Sequence, residues 1–498
     1  MNSVPYFEVL KLAAPETIVV LAALVVLAVD LLVMRAEPVR YRLAVGAAFT
    51  CLGCLAAVFW MFNIDQHGNA MQGMLVVDPL TRLVKQALLV LTVFTAVISL
   101  ESNFTEHVGE YFALVLLATV GMMFMISSED ILMIFVSLEL TSLSLYILAA
   151  FAKQSLNSAE AALKYFLFGS MAAAFTLFGL SLLYGLSGAT NLSQIAAALK
   201  GQALDPLLVA ALVMTVIGFG FKVAAVPFHL WAPDAYQGAP TPSAAFIASG
   251  SKLASFFLFA KVMMLGFAGA EGSGSWGSLV PGWVPVLAVL AAFSMVLGNL
   301  TAIVQSNVKR LLAYSAVAHA GYALLGVLAG NQQGISSLLY YVVTYALTTL
   351  GAFGVVAVVE NATGDARLTD FAGLGRRAPL VSFCMMIFML SLAGIPPLAG
   401  FFGKFYLFAT AVGSTAQSLG LVWLITLAIA MSAVSLYYYL QVLKQIYVVE
   451  APVDAQMIRA PLPSKIALSL LALAVVVLGC APNLLVGKLV AAIKIAGL

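Results

Sequence analysis

Charged residues are scarce in this chain of 498 residues: Asp, Glu, Lys and Arg together make up 9% of it, whereas 63% is hydrophobic. Soluble domains are about 25% charged. A soluble core could not hide this much apolar surface, so the composition predicts an integral membrane protein. The formal net charge of +2 provides no basic field of the kind that attracts nucleic acid, and we expect no nucleic-acid partner.

Motifs for redox centres, metals and nucleotides are also missing. The four cysteines lack the spacing of an iron–sulfur cluster, and Cys51 and Cys54 lie in an apolar run, where we expect them to pack inside a membrane helix. The four scattered histidines show no zinc or haem spacing. Neither a phosphate-binding glycine loop nor a dinucleotide-binding turn is present. We therefore expect no cofactor and no metal bound by this chain itself.

Long apolar runs dominate what is present. A helix needs about 20 residues to cross the hydrocarbon core of a membrane, and fourteen runs are long enough, which predicts an all-α polytopic membrane protein. Several runs exceed about 25 residues, as tilted or broken helices do. The predicted spans are 15–34, 42–62, 80–100, 109–127, 131–151, 160–184, 206–227, 241–266, 282–303, 309–329, 335–360, 380–409, 418–448 and 463–480.

Lysine and arginine are unevenly divided between the two sets of loops. Loops after odd-numbered spans hold twelve of them, and the other side holds six, Lys85 included. The positive-inside rule assigns the richer side to the cytoplasm. An even number of spans then leaves both termini on the periplasmic side of a bacterial inner membrane, and a mitochondrial inner membrane is the less favoured alternative.

Five further cations lie within or near the ends of the apolar spans, and all are lysines: Lys164, Lys222, Lys252, Lys261 and Lys404. An intramembrane charge costs about 2.5–3.5 kcal/mol. Burial disfavours the charged form of a lysine, whereas arginine keeps its charge. Buried lysines can therefore bind and release protons near neutral pH. Because Lys261 is near the end of its span, we interpret it as a side chain that reaches back to the membrane surface.

Acidic and histidine side chains accompany these lysines. Glu139 lies in the middle of a predicted span, where it needs a cation or a proton. Glu160 and Lys164 are spaced to meet on one helix face, and a surface salt bridge is an equal alternative. His319 can relay protons or serve as a structural, hydrogen-bonded residue. Asp30 is interpreted as a helix-end charge.

Prolines interrupt two of the predicted spans. Pro227 follows Lys222 in the seventh span, and Pro396 and Pro397 precede Lys404 in the twelfth. Proline removes a helical hydrogen bond, and freed carbonyls at membrane depth are tolerated only beside a cavity or buried protein. The two spans are five apart and cross in opposite directions, as in an inverted repeat with discontinuous helices. Two unrelated proline kinks are the alternative.

The repeat hypothesis divides the chain into four parts. They are an N-terminal three-helix segment (1–105), two five-helix repeats (106–270 and 271–450), and a C-terminal helix with its tail (451–498).

Three motifs carry a resemblance to a known family. They are FKVAAVPFHLWAPDAYQGAPTP at 221–242, KRLLAYSAVAHAGY at 309–322 and GIPPLAGFFGKF at 394–405. Together they resemble the proton-conducting, antiporter-like membrane subunits of respiratory complex I, which are related to cation/proton antiporters and membrane-bound hydrogenases. The chain leaves no room for the lateral helix of the L-type subunit. It has Lys404 where the M-type carries glutamate, and its opening PETIVVL at 15–21 resembles the N-type.

The resemblance implies roles for individual residues. Glu139 and Lys222 match the charge pair of the family, Lys252 matches the central relay lysine, and Lys404 matches the lysine that exchanges protons with the outer side. The remaining matches are accessory charges at Glu160 and Lys164 and histidine positions at His229 and His319.

The implied function is proton translocation coupled indirectly to quinone reduction. NADH, FMN, iron–sulfur clusters and quinone would then be bound by other subunits. The expected partners are M-type, K-type and neighbouring membrane-arm subunits, together with phospholipids. The alternatives are a subunit of a cation/proton antiporter or membrane-bound hydrogenase, and a non-conducting membrane scaffold.

Overall fold

The fold is almost entirely helical. A computed structural model describes residues 6–63, 67–101, 104–201, 204–413, 420–451 and 457–497. Within these residues, thirteen helices are long and apolar enough to span a membrane. The remaining predicted span, the twelfth, is present as two shorter helices, so the expectation of about fourteen spans in an all-α fold is confirmed.

The N-terminal part contains three membrane-length helices and a small hairpin. Its elements are α1 (Tyr6–Leu12), α2 (Ala14–Leu32), α3 (Val39–Asn63), β1 (Gly68–Ala70), β2 (Leu75–Val77) and α4 (Pro79–Ile98). The strands pair antiparallel. Asp78 starts α4 with a capping box: its carboxylate accepts from the Thr81 N–H at 2.7 Å, and its own N–H donates to the Thr81 hydroxyl at 3.0 Å. These bonds satisfy donors that the first helical turn leaves free.

The middle of the chain contains two successive groups of helices. The first comprises α5 (Val108–Ser127), α6 (Ile131–Ala149), α7 (Leu156–Ser187), α8 (Leu192–Leu199), α9 (Pro206–Val223), α10 (Trp231–Gly238) and α11 (Thr241–Lys261), which continues as a π-helical turn, Val262–Gly266. A hairpin of β3 (Ser273–Ser275) and β4 (Ser278–Val280) precedes the second group. That group comprises α12 (Trp283–Ile303), α13 (Val308–Leu328), α14 (Gln332–Thr363), α15 (Leu374–Arg377), α16 (Pro379–Ala393), α17 (Ala399–Gly413) and α18 (Val422–Tyr447).

The C-terminal part contains α19 (Leu462–Cys480) and α20 (Asn483–Ala496). Most of the predicted tail after the last span is therefore helical. The predicted seventh span was too long, because α9 ends at Val223, before Pro227.

The two middle groups share several local features. Their third helices, α7 and α14, each have 32 residues and end at a glycine in the left-handed conformation. An isolated β-bridge joins the residue that caps the second helix to the loop after the third helix: Asp130 to Asn191 in the first group, and Asn307 to Arg367 in the second. The division into two five-helix repeats with the predicted boundaries stays a prediction.

The centre of the molecule is formed by α11, α13 and α14. Their membrane-spanning stretches are 100%, 94% and 94% buried, whereas those of α2, α7 and α18 are 33% buried. Large apolar side chains on the outer helices, such as Phe59 and Phe178, are exposed, as expected for a surface that faces lipid rather than water. A polar side chain on the central helices is therefore enclosed by protein.

Candidate functional site

Two helix breaks lie at the core of the candidate site. The first break (residues 224–230) separates α9 from α10, and the second (residues 394–398) separates α16 from α17. Each begins with a residue in the left-handed conformation, Ala224 (φ 54°) and Gly394 (φ 87°). Each leaves carbonyls at the end of a half-helix without their usual helical partners. The predicted interruptions at Pro227, Pro396 and Pro397 are confirmed.

Lys252 binds a carbonyl at the first break. Its side chain is 2% exposed, and Nζ donates a hydrogen bond to the carbonyl of Val223, the last residue of α9. Nζ also lies 5.9 Å from the centre of the Trp231 ring, at the start of α10. The C-terminal end of a helix carries partial negative charge, so the break provides a binding place for an ammonium group in an otherwise apolar interior.

Lys404 occupies the corresponding place at the second break. It lies on α17 and is 4% exposed. Its Nζ donates to the carbonyls of Leu392 at 3.0 Å and Ala393 at 3.1 Å, and to the Ser432 hydroxyl at 2.9 Å. The ring of Tyr322 is 5.1 Å away. Both lysines are thus held by the carbonyls that the helix breaks set free.

Lys222 and Glu139 lie on neighbouring helices but are not joined by an ion pair in the described part of the chain. Lys222, in the last turn of α9, donates to the hydroxyl of Ser142. Ser142 is one helical turn from Glu139 on α6, and Glu139 is only partly buried. Nζ of Lys222 lies 6.0 Å from the centre of the Tyr146 ring. The predicted charge pair is therefore not a direct contact, because Lys222 binds the hydroxyl of Ser142.

His319 is hydrogen-bonded at both ring nitrogens. Nδ1 is 2.6 Å from the Tyr341 hydroxyl, and Nε2 is 3.0 Å from the Tyr439 hydroxyl, which in turn contacts Ser315 at 2.5 Å. Its ring packs against the edge of Tyr322, with 5.7 Å between ring centres. Because Tyr322 also contacts Lys404, the histidine and the lysine flank the same aromatic ring.

The other predicted residues lie further from the protein interior. His229 is half-buried in the first break. Glu160 and Lys164 form the expected ion pair at 2.7 Å, with side chains 63% and 40% exposed. Lys164 also binds Asp234 at 2.8 Å, and Asp234 binds Arg310 at 2.6 Å. Asp234 on α10 therefore connects the first broken helix to α7 and to α13, a link that the sequence motifs did not indicate.

The structure corrects two predictions about lysines. Lys261 does not reach the membrane surface: it is 1% exposed and lies 3.3 Å from a carboxylate oxygen of Glu129. Lys85, counted with the loop charges, lies inside α4 and is 2% exposed, because it pairs with Glu16 at 2.5 Å. The reason is the same in both cases, since an acidic side chain from another part of the chain, Glu129 in the loop between α5 and α6 and Glu16 on α2, compensates the charge of the buried ammonium group.

A third missed pair lies at one surface of the molecule. Lys309 contacts Glu360 at 2.7 Å, and the other carboxylate oxygen of Glu360 accepts a hydrogen bond from Thr241 at the start of α11. All three residues line a cavity of about 420 Å³. The sequence did contain a signal for these two pairs. Glu360 and Glu16 each lie near the end of a predicted span, and an acidic side chain there indicates a cationic partner.

The described residues contain no group of three or more His, Cys, Asp and Glu side chains that could hold a metal ion. The site consists of amines, hydroxyls, an imidazole, the carboxylate of Glu139 and backbone carbonyls. Such groups can bind and pass protons.

Comparison with known proteins identifies the family. A family model described as "NADH:quinone oxidoreductase/Mrp antiporter, TM" matches residues 128–432. NADH-quinone oxidoreductase subunit N 2 from Acidobacterium capsulatum is 50% identical over 494 residues, which cover 97% of this chain and 99% of that protein. The chain belongs to the NADH-quinone oxidoreductase subunit N family. It is therefore a membrane subunit of this proton-translocating enzyme, as the three motifs predicted.

Solved structures agree with the assignment to the NADH-quinone oxidoreductase complex. A chain of respiratory complex I from Thermus thermophilus, solved with bound aureothin, superimposes with a TM-score of 0.79 at 32% identity, covering 96% of this chain and 100% of that one. A chain of the Mrp complex from Dietzia has a TM-score of 0.81 at 21% identity and covers 97% of each chain. The second likeness is one of fold alone.

Proposed function

We propose that the chain translocates protons through a relay formed by Glu139, Lys222, Lys252, His319 and Lys404, with His229 beside the first break. The observation that carries this proposal is the placement of Lys252 and Lys404, each almost fully buried and bound to carbonyls at a helix break. A carbonyl can hold an ammonium group but does not trap it as a carboxylate would. Each amine can therefore be charged or neutral without breaking an ion pair.

Lys222 differs from these two lysines because an acid is close by. A charged Glu139 favours the ammonium form of Lys222, and burial favours the neutral amine. Moving or protonating Glu139 would shift this balance and release a proton from Lys222 toward Lys252. The hydroxyl of Ser142, which accepts from Lys222, would keep the amine in place during this change.

The cavity at Lys309 and Glu360 is the proposed access point on the cytoplasmic side. Thr241, which binds Glu360, is the first residue of α11, and Lys252 lies three turns further along the same helix. A proton bound at Glu360 would thus be close to the helix that carries the central lysine. The cytoplasmic assignment follows from the charge bias, which also places both termini on the periplasmic side of a bacterial inner membrane.

The coupling to electron transfer would be indirect. Binding of NADH, FMN, iron–sulfur clusters and quinone is assigned to other subunits of the complex, and M-type and K-type subunits are the proposed membrane-arm neighbours. Quinone reduction elsewhere in the complex would shift the balance between two states of Glu139 and Lys222: one with a charged Glu139 and a protonated Lys222, and one in which Glu139 has moved or taken up a proton and Lys222 is neutral. The similar local features of the two helix groups support an inverted repeat, with one relay lysine at each broken helix. Glu160 and Lys164 are proposed as accessory charges that anchor Asp234.

The test is Lys222→Ala in the assembled enzyme, with exposed Lys200→Ala as the matched control. NADH-driven proton uptake is measured in inverted membrane vesicles and divided by the rate of NADH oxidation. We expect the ratio to fall in Lys222→Ala and to stay unchanged in Lys200→Ala. An unchanged ratio in Lys222→Ala would remove this residue from the relay. Cation/proton exchange by the purified chain, without the NADH-oxidising subunits, would support the antiporter alternative instead.

A further inference from the structure

A buried ion pair lies outside the region that the family model matches. Glu16 lies in the first turn of α2 and Lys85 in the second turn of α4. Lys85 Nζ is 2.5 Å from Glu16 Oε1, and the two side chains are 2% and 1% exposed. This burial is as deep as that of Lys252 and Lys404, yet the proton relay proposed above does not use the pair.

The surroundings of Glu16 give it little support as a charged group. Apart from the contact with Lys85, the described residues provide no hydrogen bond to either carboxylate oxygen. A buried ion pair without further hydrogen bonds is a poor means of stabilising a fold. Transfer of one proton from Nζ to the carboxylate, which breaks an N–H bond and forms an O–H bond, leaves two neutral groups that are less costly to bury. The pair can therefore exist in two forms that differ in the position of one proton.

A row of buried hydroxyls continues from Lys85 along the same face of α4. Thr92, Thr95 and Ser99 follow Lys85 at intervals of seven, three and four residues, which keeps them on one side of the helix. All three are fully buried. A hydroxyl can donate one hydrogen bond while it accepts another, so a row of hydroxyls can pass a proton when water fills the gaps between them.

The row is connected to α5 and to the surface. The Thr92 hydroxyl is 3.1 Å from that of Thr119, and the Ser99 hydroxyl is 3.0 Å from that of Tyr111. The Tyr111 ring packs 5.1 Å from the ring of Phe104. Phe104 lines two open cavities, one of about 420 Å³ and one of about 550 Å³. The rings of Tyr111 and Phe104 thus lie between the cavities and the hydroxyl row, and the row continues from there toward the buried pair.

We propose that Glu16 and Lys85 form a second proton-binding site, reached from the Phe104 cavities along the hydroxyl row of α4 and separate from the two helix breaks. The inference uses the proposed proton translocation of this subunit but none of its relay residues. It predicts that the subunit binds protons at two buried sites, and the cavity of about 420 Å³, which is lined by Phe104 as well as by Lys309 and Glu360, is an entrance that both can share. Leu88 of α4 packs against α11, the helix that carries Lys252: a Cβ added at Gly250 would lie 3.3 Å from a methyl carbon of Leu88.

The test compares Lys85→Arg with Lys404→Arg in the assembled enzyme. Arginine preserves the ion pair but does not readily release a proton. We expect Lys85→Arg to oxidise NADH and to pump fewer protons per NADH, and the double variant to pump fewer than either single one. An unchanged ratio in Lys85→Arg would overturn the proposal and leave the pair a structural one. A double variant equal to Lys404→Arg alone would overturn the separate route.

Two further variants guard against a failure to fold. Glu16→Gln combined with Lys85→Met removes both charges together, and Thr92→Val interrupts the hydroxyl row at nearly constant volume. Both are expected to lower the ratio by the same fraction as Lys85→Arg, and unchanged ratios in both would contradict the proposal. A normal ratio in Lys404→Arg with a reduced one in Lys85→Arg would refute the relay and preserve this second site.

The matched control is a second ion pair of the N-terminal helices. Arg42 binds Asp30 at 2.5 Å, with side chains 12% and 6% exposed, and the Gly109 N–H also donates to Asp30 at 2.9 Å. Because arginine keeps its proton, this pair cannot transfer a proton from its cation to its carboxylate, as Lys85 and Glu16 can. Asp30→Asn is expected to reduce the amount of assembled enzyme and to leave the number of protons per NADH unchanged. A reduced ratio in Asp30→Asn would overturn the proposal, because loss of any charge pair would then have the same effect.

Discussion

Replacing Lys404 with methionine tests whether its amine moves protons or only supports the second helix break. The substitution leaves the carbonyls of Leu392 and Ala393 without their donor. A buried polar group left unsatisfied costs about 1–3 kcal/mol, so two carbonyls cost about 2–6 kcal/mol. The variant also avoids the cost of burying an ammonium group, and this stabilises the folded subunit by about 2.5–3.5 kcal/mol.

The two effects on the stability of the folded subunit therefore partly cancel. The two ranges leave the folded subunit between about 1.5 kcal/mol more stable and about 3.5 kcal/mol less stable. Part of the population would remain folded across most of this range. A full loss of proton pumping with assembled enzyme still present would then report on the chemistry of the amine rather than on the fold.

The assay needs separate readouts for assembly and for pumping. NADH oxidation with an artificial electron acceptor reports how much enzyme is assembled, and dye quenching in inverted vesicles reports proton uptake. We expect Lys404→Met to retain the first signal and to lose protons per NADH. Lys404→Arg should behave similarly, because it keeps the charge without releasing the proton. Normal pumping in assembled Lys404→Met would refute the role assigned to this lysine.

Two other predictions concern proton access and helix packing. Glu360→Gln keeps a hydrogen-bond partner for Lys309 but cannot bind a proton as a carboxylate does. NADH-driven proton uptake should therefore slow while the enzyme still assembles. An unchanged rate of proton uptake would place the access point elsewhere. Gly400→Ala should strongly reduce assembled enzyme on a native gel, because an added Cβ would overlap the carbonyl of Ser391. In Gly487→Ala no atom lies within 4 Å of the added Cβ, so normal assembly is expected there, and equal amounts of the two variants would contradict the packing argument.

The membrane spans and both helix breaks could be predicted because they depend on local properties. Burial of about 20 apolar residues in a row is favourable in a membrane wherever the segment lies in the chain, and Pro227, Pro396 and Pro397 disrupt hydrogen bonds within their own turns. The end of α9 at Val223 differed from the prediction because Ala224 already leaves the helix before the proline. The helix α20 was missed because it is shorter and more polar than a membrane span.

The partners of the buried lysines were decided by the tertiary structure. The sequence alone determined that Lys252 and Lys404 lie in apolar membrane spans and that each ammonium group needs a polar or charged partner there. It did not determine that these partners are carbonyls at helix breaks, or that Lys85 meets Glu16 and Lys261 meets Glu129. Hydrophobicity and backbone preference act along the chain, residue by residue. An electrostatic partner is selected by distance in space, and that distance is set only when helices from distant parts of the sequence pack together.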